Sequence, residues 1–338
     1  MRQIVIPKVG GPEVLTLKEL PDPTPATGEV RVRVQQSGVN FADVMARVGL
    51  YPDAPPLPCV VGYEVAGEID AIGDGVREYA IGQKVIAMTR FGGYSDVVCV
   101  PLSQVVPMPS TLSFEQAAAV PVNYLTAWLM LIDLGALAEH HTVLVHAAAG
   151  GVGQAALQIC RWKGARVVAV ASAGKHERLR SQGVHACVDS RGGDIAGAVR
   201  AATDGRGADL ILDANGGRSF KDGYELLAPM GRLFMFGISS FAPGRTRSLI
   251  AAARGVMSMP RFGAIRLMND NRGVFGVNLG HLWQEVAALR RALAEIMAHC
   301  EAGRFVPTVD TSFAFDEAAK SHEHLQSRAS FGKVLLHP

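Results

Sequence analysis

The 338 residues are enough for two domains, and with 49% hydrophobic residues they can bury a sizeable core. A net charge of +2 provides no concentrated basic face, which excludes nucleic acid as a partner. The five cysteines are scattered without a CxxC pair, pointing to reduced thiols in a cytoplasmic protein, and no apolar run has the length of a membrane span or the core of a secretory signal.

Taken in chain order, residues 1–6 read directly as a strand, and Glu29–Val34 alternates with period two, as a half-buried strand should. Pro21–Pro25 and Asp53–Pro58 are stiff connectors, and glycines at 62, 67, 73, 75 and 82 punctuate a small all-β region. The character changes near Ser113. Phe114–Ala119 and Tyr124–Leu134 have helical spacing, and from Thr142 strands and helices alternate. The predicted strands are Thr142–His146, Arg166–Ala171, Ala186–Asp189, Leu210–Asp213, Arg232–Gly237 and Gly273–Asn278. Between the first two, Val152, Ala155, Ala156, Ile159 and Cys160 share one helical face. Such alternation implies a parallel sheet covered on both faces. A helix over Leu282–Cys300, stopped by Gly303, is followed by a short strand, a helix and a last strand at Lys333–Leu336, in the style of the first 120 residues. The expected architecture is α/β: a Rossmann doubly wound parallel sheet (residues 123–278) inserted into a discontinuous β-rich domain (residues 1–122 and 279–338).

The most informative stretch is His-Ala-Ala-Ala-Gly-Gly-Val-Gly at residues 146–153, between an apolar strand and a helix beginning near Gln154. Glycines in such a turn let backbone N–H groups approach a pyrophosphate, and the helix N-terminus favours its charge. Ala148, Gly150 and Gly153 stand at the three glycine places of the dinucleotide fingerprint, with alanine at the first as a mild departure. The bland alternative is a turn whose glycines serve only packing, and the alternating sheet around it argues against that. An NAD site wants Asp or Glu at the end of the second strand, to bond the ribose 2′-hydroxyl. Here Ala171 is followed by Ser-Ala-Gly-Lys-His, with no acid between Gly153 and Glu177. Ser172 and Lys175 suit a 2′-phosphate instead, and Arg178 can add charge. The expected cofactor is therefore NADPH, against the alternative that Lys175 is a solvated cation at the start of a helix.

Three segments, Gly38-Val39-Asn40-Phe41-Ala42-Asp43, Gly62-Tyr63-Glu64-Val65-Ala66-Gly67 and Ala148–Gly153 with Gln158, together resemble the quinone oxidoreductase branch of the medium-chain dehydrogenase/reductase superfamily over essentially the whole chain. Residues 172–177, 227–231 and 271–276 look most like its subgroup related to the synaptic-vesicle amine-transport protein homologue. The resemblance implies a GroES-like catalytic domain, a Rossmann domain, a cleft between them, a homodimer, and reduction of quinones or α,β-unsaturated carbonyls by NADPH. It places further cofactor contacts at Asn123, Thr126, Ala149, Gly151, Val152, Phe236, Gly237, Ile238, Phe275, Val277 and Lys333. Phe275 and Val277 also read as ordinary strand core.

Zinc members of the superfamily take ligands from a Cys, a His and a later Cys. At these places the chain carries Asn40, Tyr63 and, aligning on Thr126, Val122, and it lacks the four-cysteine structural loop. None of the three is a normal zinc ligand, so no metal is expected. Without a strong Lewis acid, quinones and enones are the fitting acceptors, because they take hydride at an electron-poor carbon. Asn40, Tyr51 and Tyr63 are the candidate catalytic groups. Asn40 can hydrogen-bond the substrate carbonyl or the nicotinamide ribose, and either tyrosine can donate a proton or simply pack.

Residues 245–268 interrupt the alternation, with five arginines, no acid and many apolar side chains, three of them from methionine. Residues 245–271 are read as a lid or dimer contact, or as a packed excursion. Gly255 and Pro260 break a long amphipathic helix and argue against a membrane contact. The function expected is zinc-independent NADPH:quinone or enone oxidoreduction. The alternatives are an enoyl-thioester reductase and a nucleotide-binding scaffold with little turnover.

Overall fold

The computed structural model describes residues 1–242 and 244–338. The chain divides into two units: Met1–Leu125, Gly244–Arg247 and Leu279–Pro338 form the first, and Thr126–Pro243 with Ser248–Asn278 the second. Nothing in the sequence signals that Gly244–Arg247 groups with the first unit.

The chain opens with β1 (Arg2–Val5) and β2 (Thr16–Glu19), an antiparallel pair. The main sheet of the first unit uses β3 (Glu29–Val39), β4 (Glu64–Ile72), β5 (Lys84–Met88), β6 (Val97–Pro101) and β7 (Val105–Pro107), and helix α1 (Phe41–Arg47) lies between β3 and β4 in the chain. Helix α2 (Phe114–Ala118) belongs to the first unit, and α3 (Pro121–Trp128) contains the boundary with the second unit. Its strands are β8 (Thr142–Val145), β9 (Arg166–Ala171), β10 (Ala186–Asp189), β11 (Ala208–Asp213), β12 (Leu227–Met235) and β13 (Gly273–Gly276). They are joined through α4 (Gly151–Lys163), α5 (His176–Arg180), α6 (Ile195–Ala202), α7 (Arg218–Glu225), α8 (Leu249–Met257) and α9 (Ala264–Asp270). The chain closes with α10 (Val286–Glu301), β14 (Val309–Ala314), α11 (Ala318–Gln326) and β15 (Lys333–His337).

In the first unit the strand order is β14-β15-β3-β4-β5-β7, with β6 also on β3. Val30, Val32 and Val34 of β3 point into one core with Val65, Ile69, Val85 and Val100. The alternation that marks Glu29–Val34 ends there, but the strand runs on to Val39 because its last four residues are buried on both faces. There Ser37–Val39 pair antiparallel with Val334–Leu336 of β15, which brings the chain's end beside its beginning.

In the second unit the order is β10-β9-β8-β11-β12-β13, and every neighbouring pair is parallel. All six strands expected from the sequence are present. Their core joins Leu144, Val168, Ile211 and Leu233 to Phe220 and Tyr224 of α7. β12 starts at Leu227 rather than Arg232, because Leu227 already pairs with Ala208 before the ladder becomes irregular. α10 starts at Val286 rather than Leu282, since Leu279–His281 forms a separate 3-10 turn. The direction of the chain's progress reverses between β8 and β11, which makes that junction the topological switch point where α/β sheets bind ligands.

Residues 249–270 form two short helices. Met259, Phe262 and Leu267 pack onto the core of the second unit, whereas Ile250, Met257, Ile265 and Met268 are 67–78% exposed. Among the described residues no helix is long and apolar enough to cross a membrane.

Gly67 is required by close approach: a Cβ there would lie 2.1 Å from the Arg33 carbonyl oxygen of β3. Gly67→Ala must therefore push β3 and β4 apart, and a loss of about 1–3 kcal/mol in stability is expected. An unchanged melting temperature of this variant would show that the ladder yields freely.

Candidate functional site

The second unit places the glycine turn at the carboxyl end of β8, at the switch point. Ala147 takes a left-handed φ of 51°, and the Gly150 N–H donates to its carbonyl at 2.8 Å. α4 then begins at Gly151, and Gly153 sits so close to the turn that a Cβ would meet the Ala147 and Ala148 carbonyl oxygens at 2.5 and 2.6 Å. The first N–H groups of α4 have no helical carbonyl to bond. An anion fits such a terminus. Ala149 is buried within the turn.

Beyond β9, the Ser172 carbonyl accepts from the Lys175 N–H at 2.9 Å, and the His176 ring Nε2 bonds the Ala171 carbonyl oxygen at 3.0 Å. Ser172 and Lys175 are thus neighbours on one short turn, both half-buried. At the end of β12, the Phe236 N–H donates to the Asp213 carbonyl, and a Cβ on Gly237 would lie 2.9 Å from the Ala214 carbonyl oxygen. Ile238 follows, half-buried. Phe275 stacks on Phe234 at 5.3 Å between ring centroids, and Val277 is buried with its N–H on the Met235 carbonyl, as strand-core residues would be. Thr126 is buried in α3.

The switch point carries a polar cluster that sequence reasoning missed. The buried Asp213 carboxylate accepts from the Ser219 hydroxyl and, at 2.7 Å, from the Asn215 N–H. The Asn215 amide is 3.2 Å from Nδ1 of His146, whose pKa burial lowers and Asp213 raises in smaller measure.

The first unit gathers Asn40 and Lys333 around Glu64. Asn40 precedes α1, with extended backbone. Its Oδ1 accepts from the Lys333 ammonium at 2.6 Å, and its Nδ2 donates to Glu64 Oε1 at 3.1 Å. Lys333 also forms an ion pair with Glu64, and the two side chains are 2% and 0% exposed. Glu64 Oε2 accepts from the Val122 N–H, at the start of α3, at 2.7 Å. Asn123, one residue on, donates instead to the Ala119 carbonyl.

A second acid lies behind Asn40. Asp43 accepts from the N–H groups of Asn40 at 2.7 Å and Gly62 at 3.1 Å, and from the Tyr94 hydroxyl at 3.1 Å. The Tyr94 oxygen is also 3.0 Å from Nε2 of His322. Burial raises the Asp43 carboxyl from its usual 3.8 to about 7, against the opposing pull of its hydrogen bonds and of Lys333. Burial first and the Arg47 charge second lower the His322 ring to about 3, so it stays neutral. Tyr63 is buried, its ring 5.2 Å from that of Phe91, and burial together with the nearby Tyr51 hydroxyl pushes its phenol far above the usual range. Tyr51 is half-buried against the cluster around Ile4 and Val39.

Glu64, Asp43, Tyr94 and His322 were not singled out from the sequence. Glu64 and Asp43 are acids inside mostly apolar motifs, which was the available signal.

Residues 26–110 match the alcohol dehydrogenase GroES-like domain family, and residues 151–295 match the zinc-binding dehydrogenase family. The synaptic vesicle membrane protein VAT-1 homolog of Rattus norvegicus is 38% identical over 341 residues, covering all of this chain and 84% of the relative. Among solved structures, Escherichia coli quinone oxidoreductase complexed with NADPH is 28% identical with a TM-score of 0.87, covering 100% of both chains. CurK enoyl reductase is 27% identical with a TM-score of 0.87, covering 99% of this chain and 98% of that one. The chain belongs to the medium-chain dehydrogenase/reductase superfamily of oxidoreductases. Its relatives there include VAT-1 homologues and quinone oxidoreductases.

The family name raises the question of zinc, and the residues present do not fit it. Asn40, Tyr63 and Val122 offer no thiolate or imidazole, and among the described residues no group of three or more His, Cys, Asp or Glu could hold a metal. The carboxylate that meets the Asn40 side chain, Glu64, is already engaged by an ammonium, which would repel a divalent cation.

The raised Asp43 pKa has a definite sign in stability. The folded carboxyl keeps its proton up to about pH 7, whereas the unfolded one releases it near 3.8, so folding takes up a proton between these limits. The stability contributed by this group is full below the lower value and lost as pH rises through the upper one. Carbon-13 NMR of the Asp43 carboxyl should show a midpoint near 7, and a midpoint near 4 would refute the assignment.

Proposed function

We propose that the protein is a zinc-independent, NADPH-dependent oxidoreductase that reduces quinones or α,β-unsaturated carbonyl compounds. The observation that carries this reading is the centre at Asn40, where hydrogen-bond donors stand without a donor set for a metal. Such a centre can support negative charge on a substrate oxygen but cannot supply the strong Lewis acid that a simple carbonyl or alcohol needs. Quinones and enones are already electron-poor at the carbon that accepts hydride.

NADPH, when bound, supplies the hydride. The turn at 147–153 and the first N–H groups of α4, from Gly151, Val152 and Gly153, would hold its pyrophosphate. Ser172 and Lys175 would meet the 2′-phosphate, which the acid-free end of β9 leaves unopposed. Gly237, at the carboxyl edge of β12, would permit close approach of the cofactor to the backbone. Asn40 would donate to the substrate oxygen as charge gathers there. Tyr63, with its pKa raised so far, would remain a neutral phenol, able to donate a hydrogen bond but unable to act as a base at ordinary pH. The product anion can take its proton from water, so no obligatory protein acid is required.

The likeness to an enoyl reductase favours a second reading, reduction of an enoyl-thioester by the same chemistry. NADPH oxidation against a panel of quinones, alkenals and enoyl-thioesters separates the two by the acceptor that turns over. Tight NADPH binding with no turnover on any acceptor would refute both and favour a nucleotide-binding scaffold. Lys175→Ala should raise the Michaelis constant for NADPH by about tenfold, with kcat and the constant for NADH little changed, as expected for a lost charge-assisted contact. An unchanged NADPH constant would remove Lys175 from the site.

A further inference from the structure

Taking an ion pair out of water is costly, and a carboxylate and an ammonium this deeply buried need a full set of partners. Glu64 has them. Oε1 takes the Lys333 ammonium and the Asn40 amide, and Oε2 takes the Val122 N–H at the start of α3. The slot is closed on its remaining side by Gly38, where a Cβ would lie 2.5 Å from Glu64 Oε1.

The consequence falls on Asn40, which is only half-buried above this pair. An asparagine amide ordinarily offers one acceptor oxygen and two donor hydrogens, and it can flip. Here flipping would set the NH₂ group against an ammonium and the carbonyl oxygen against a carboxylate. The oxygen is occupied by Lys333, and one hydrogen by Glu64. A single N–H remains, with its direction set by the other two bonds.

We propose that Glu64 and Lys333 are positioning residues that lock Asn40 as a one-hydrogen donor to the substrate oxygen. This rests on the oxidoreductase reading above. It assigns Lys333 a task different from the cofactor contact that family resemblance implies, and it gives Glu64 a role. It also decides between the partners open to Asn40 in one respect: whatever it meets must accept a hydrogen bond.

The test uses Lys333→Met, Glu64→Gln and the variant carrying both, with Asn40→Ala in each background. Removing one partner leaves a buried charge and can prevent folding, whereas the variant carrying both substitutions removes both charges and should stay folded. In that variant NADPH affinity, read by its fluorescence, and the KM of the acceptor should stay within about threefold, while kcat falls by about a hundredfold. Asn40→Ala should cost about as much in the native background and nothing further in the doubly substituted one, because the pair acts through Asn40. In the cofactor-free protein, nitrogen-15 NMR should show the two Asn40 amide hydrogens widely separated, collapsing towards a free amide when both charges are gone. Lys333→Arg, which keeps a cationic donor, should recover part of kcat.

Weakened NADPH binding with kcat unchanged would overturn the proposal, making Lys333 a cofactor contact. Losses that multiply with Asn40→Ala, or Asn40 amide signals indifferent to the pair, would overturn it as well. If the native protein turns over no acceptor, the oxidoreductase reading fails by itself, and the amide signals alone decide whether the pair holds Asn40.

Discussion

The buried contact between Lys333 and Glu64 joins parts of the chain that are far apart in sequence. Lys333 opens β15, Glu64 opens β4, Asn40 precedes α1, and Val122 lies in the first turn of α3. One carboxylate thus ties together a sheet, the entry to one helix and the N-terminus of another. Desolvation makes the arrangement all-or-none: each partner is tolerable only while the others are in place. The antiparallel pairing of Ser37–Val39 with Val334–Leu336 brings Lys333 alongside Asn40, so the sheet of the first unit must close before the centre exists.

The second unit depends on a different kind of constraint, one of space. Gly153 has room for no side chain beside the Ala147 and Ala148 carbonyls, and Gly237 little beside Ala214. The contacts of Gly153 are local, made by a strand end and the helix that follows it, whereas that of Gly237 joins the segments that follow the neighbouring strands β12 and β11. The polar cluster of His146, Asp213, Asn215 and Ser219 gathers the carboxyl ends of the two strands flanking the switch point and the first turn of α7, and it pins His146, the residue leading into the turn. The turn proposed to hold phosphate is therefore assembled from backbone groups and close packing, whereas the first unit assembles its centre from charged side chains.

That difference explains what could be read from the chain alone. The inner strands β8, β9 and β11 are legible because strands buried on both faces become short apolar runs, and the turn is legible because its glycines adjoin one another. β3 was read only to Val34, since alternation vanishes where both faces are covered. The centre was legible only in part. Asn40 and Lys333 came forward through family resemblance, but their mutual contact spans nearly the whole chain, and no local pattern announces it. Glu64 and Asp43 were in view within the motifs without a role, because what an acid does depends on which cation or N–H group the fold brings to it.

The two acids near Asn40 show how far that dependence goes. Glu64 meets an ammonium directly and joins it in an ion pair. Asp43 meets two N–H groups and a phenol, feels Lys333 only at a distance, and is raised towards neutrality by burial. Between them they hold different parts of the same residue. Asp43 grips the Asn40 backbone and ties it to Gly62, and Glu64 with Lys333 grips the side chain. Protonation of Asp43 would remove acceptor capacity from the backbone grip while leaving the amide's own bonds untouched. The main-chain support of Asn40 is thus tied to the carboxyl that burial raises to about 7.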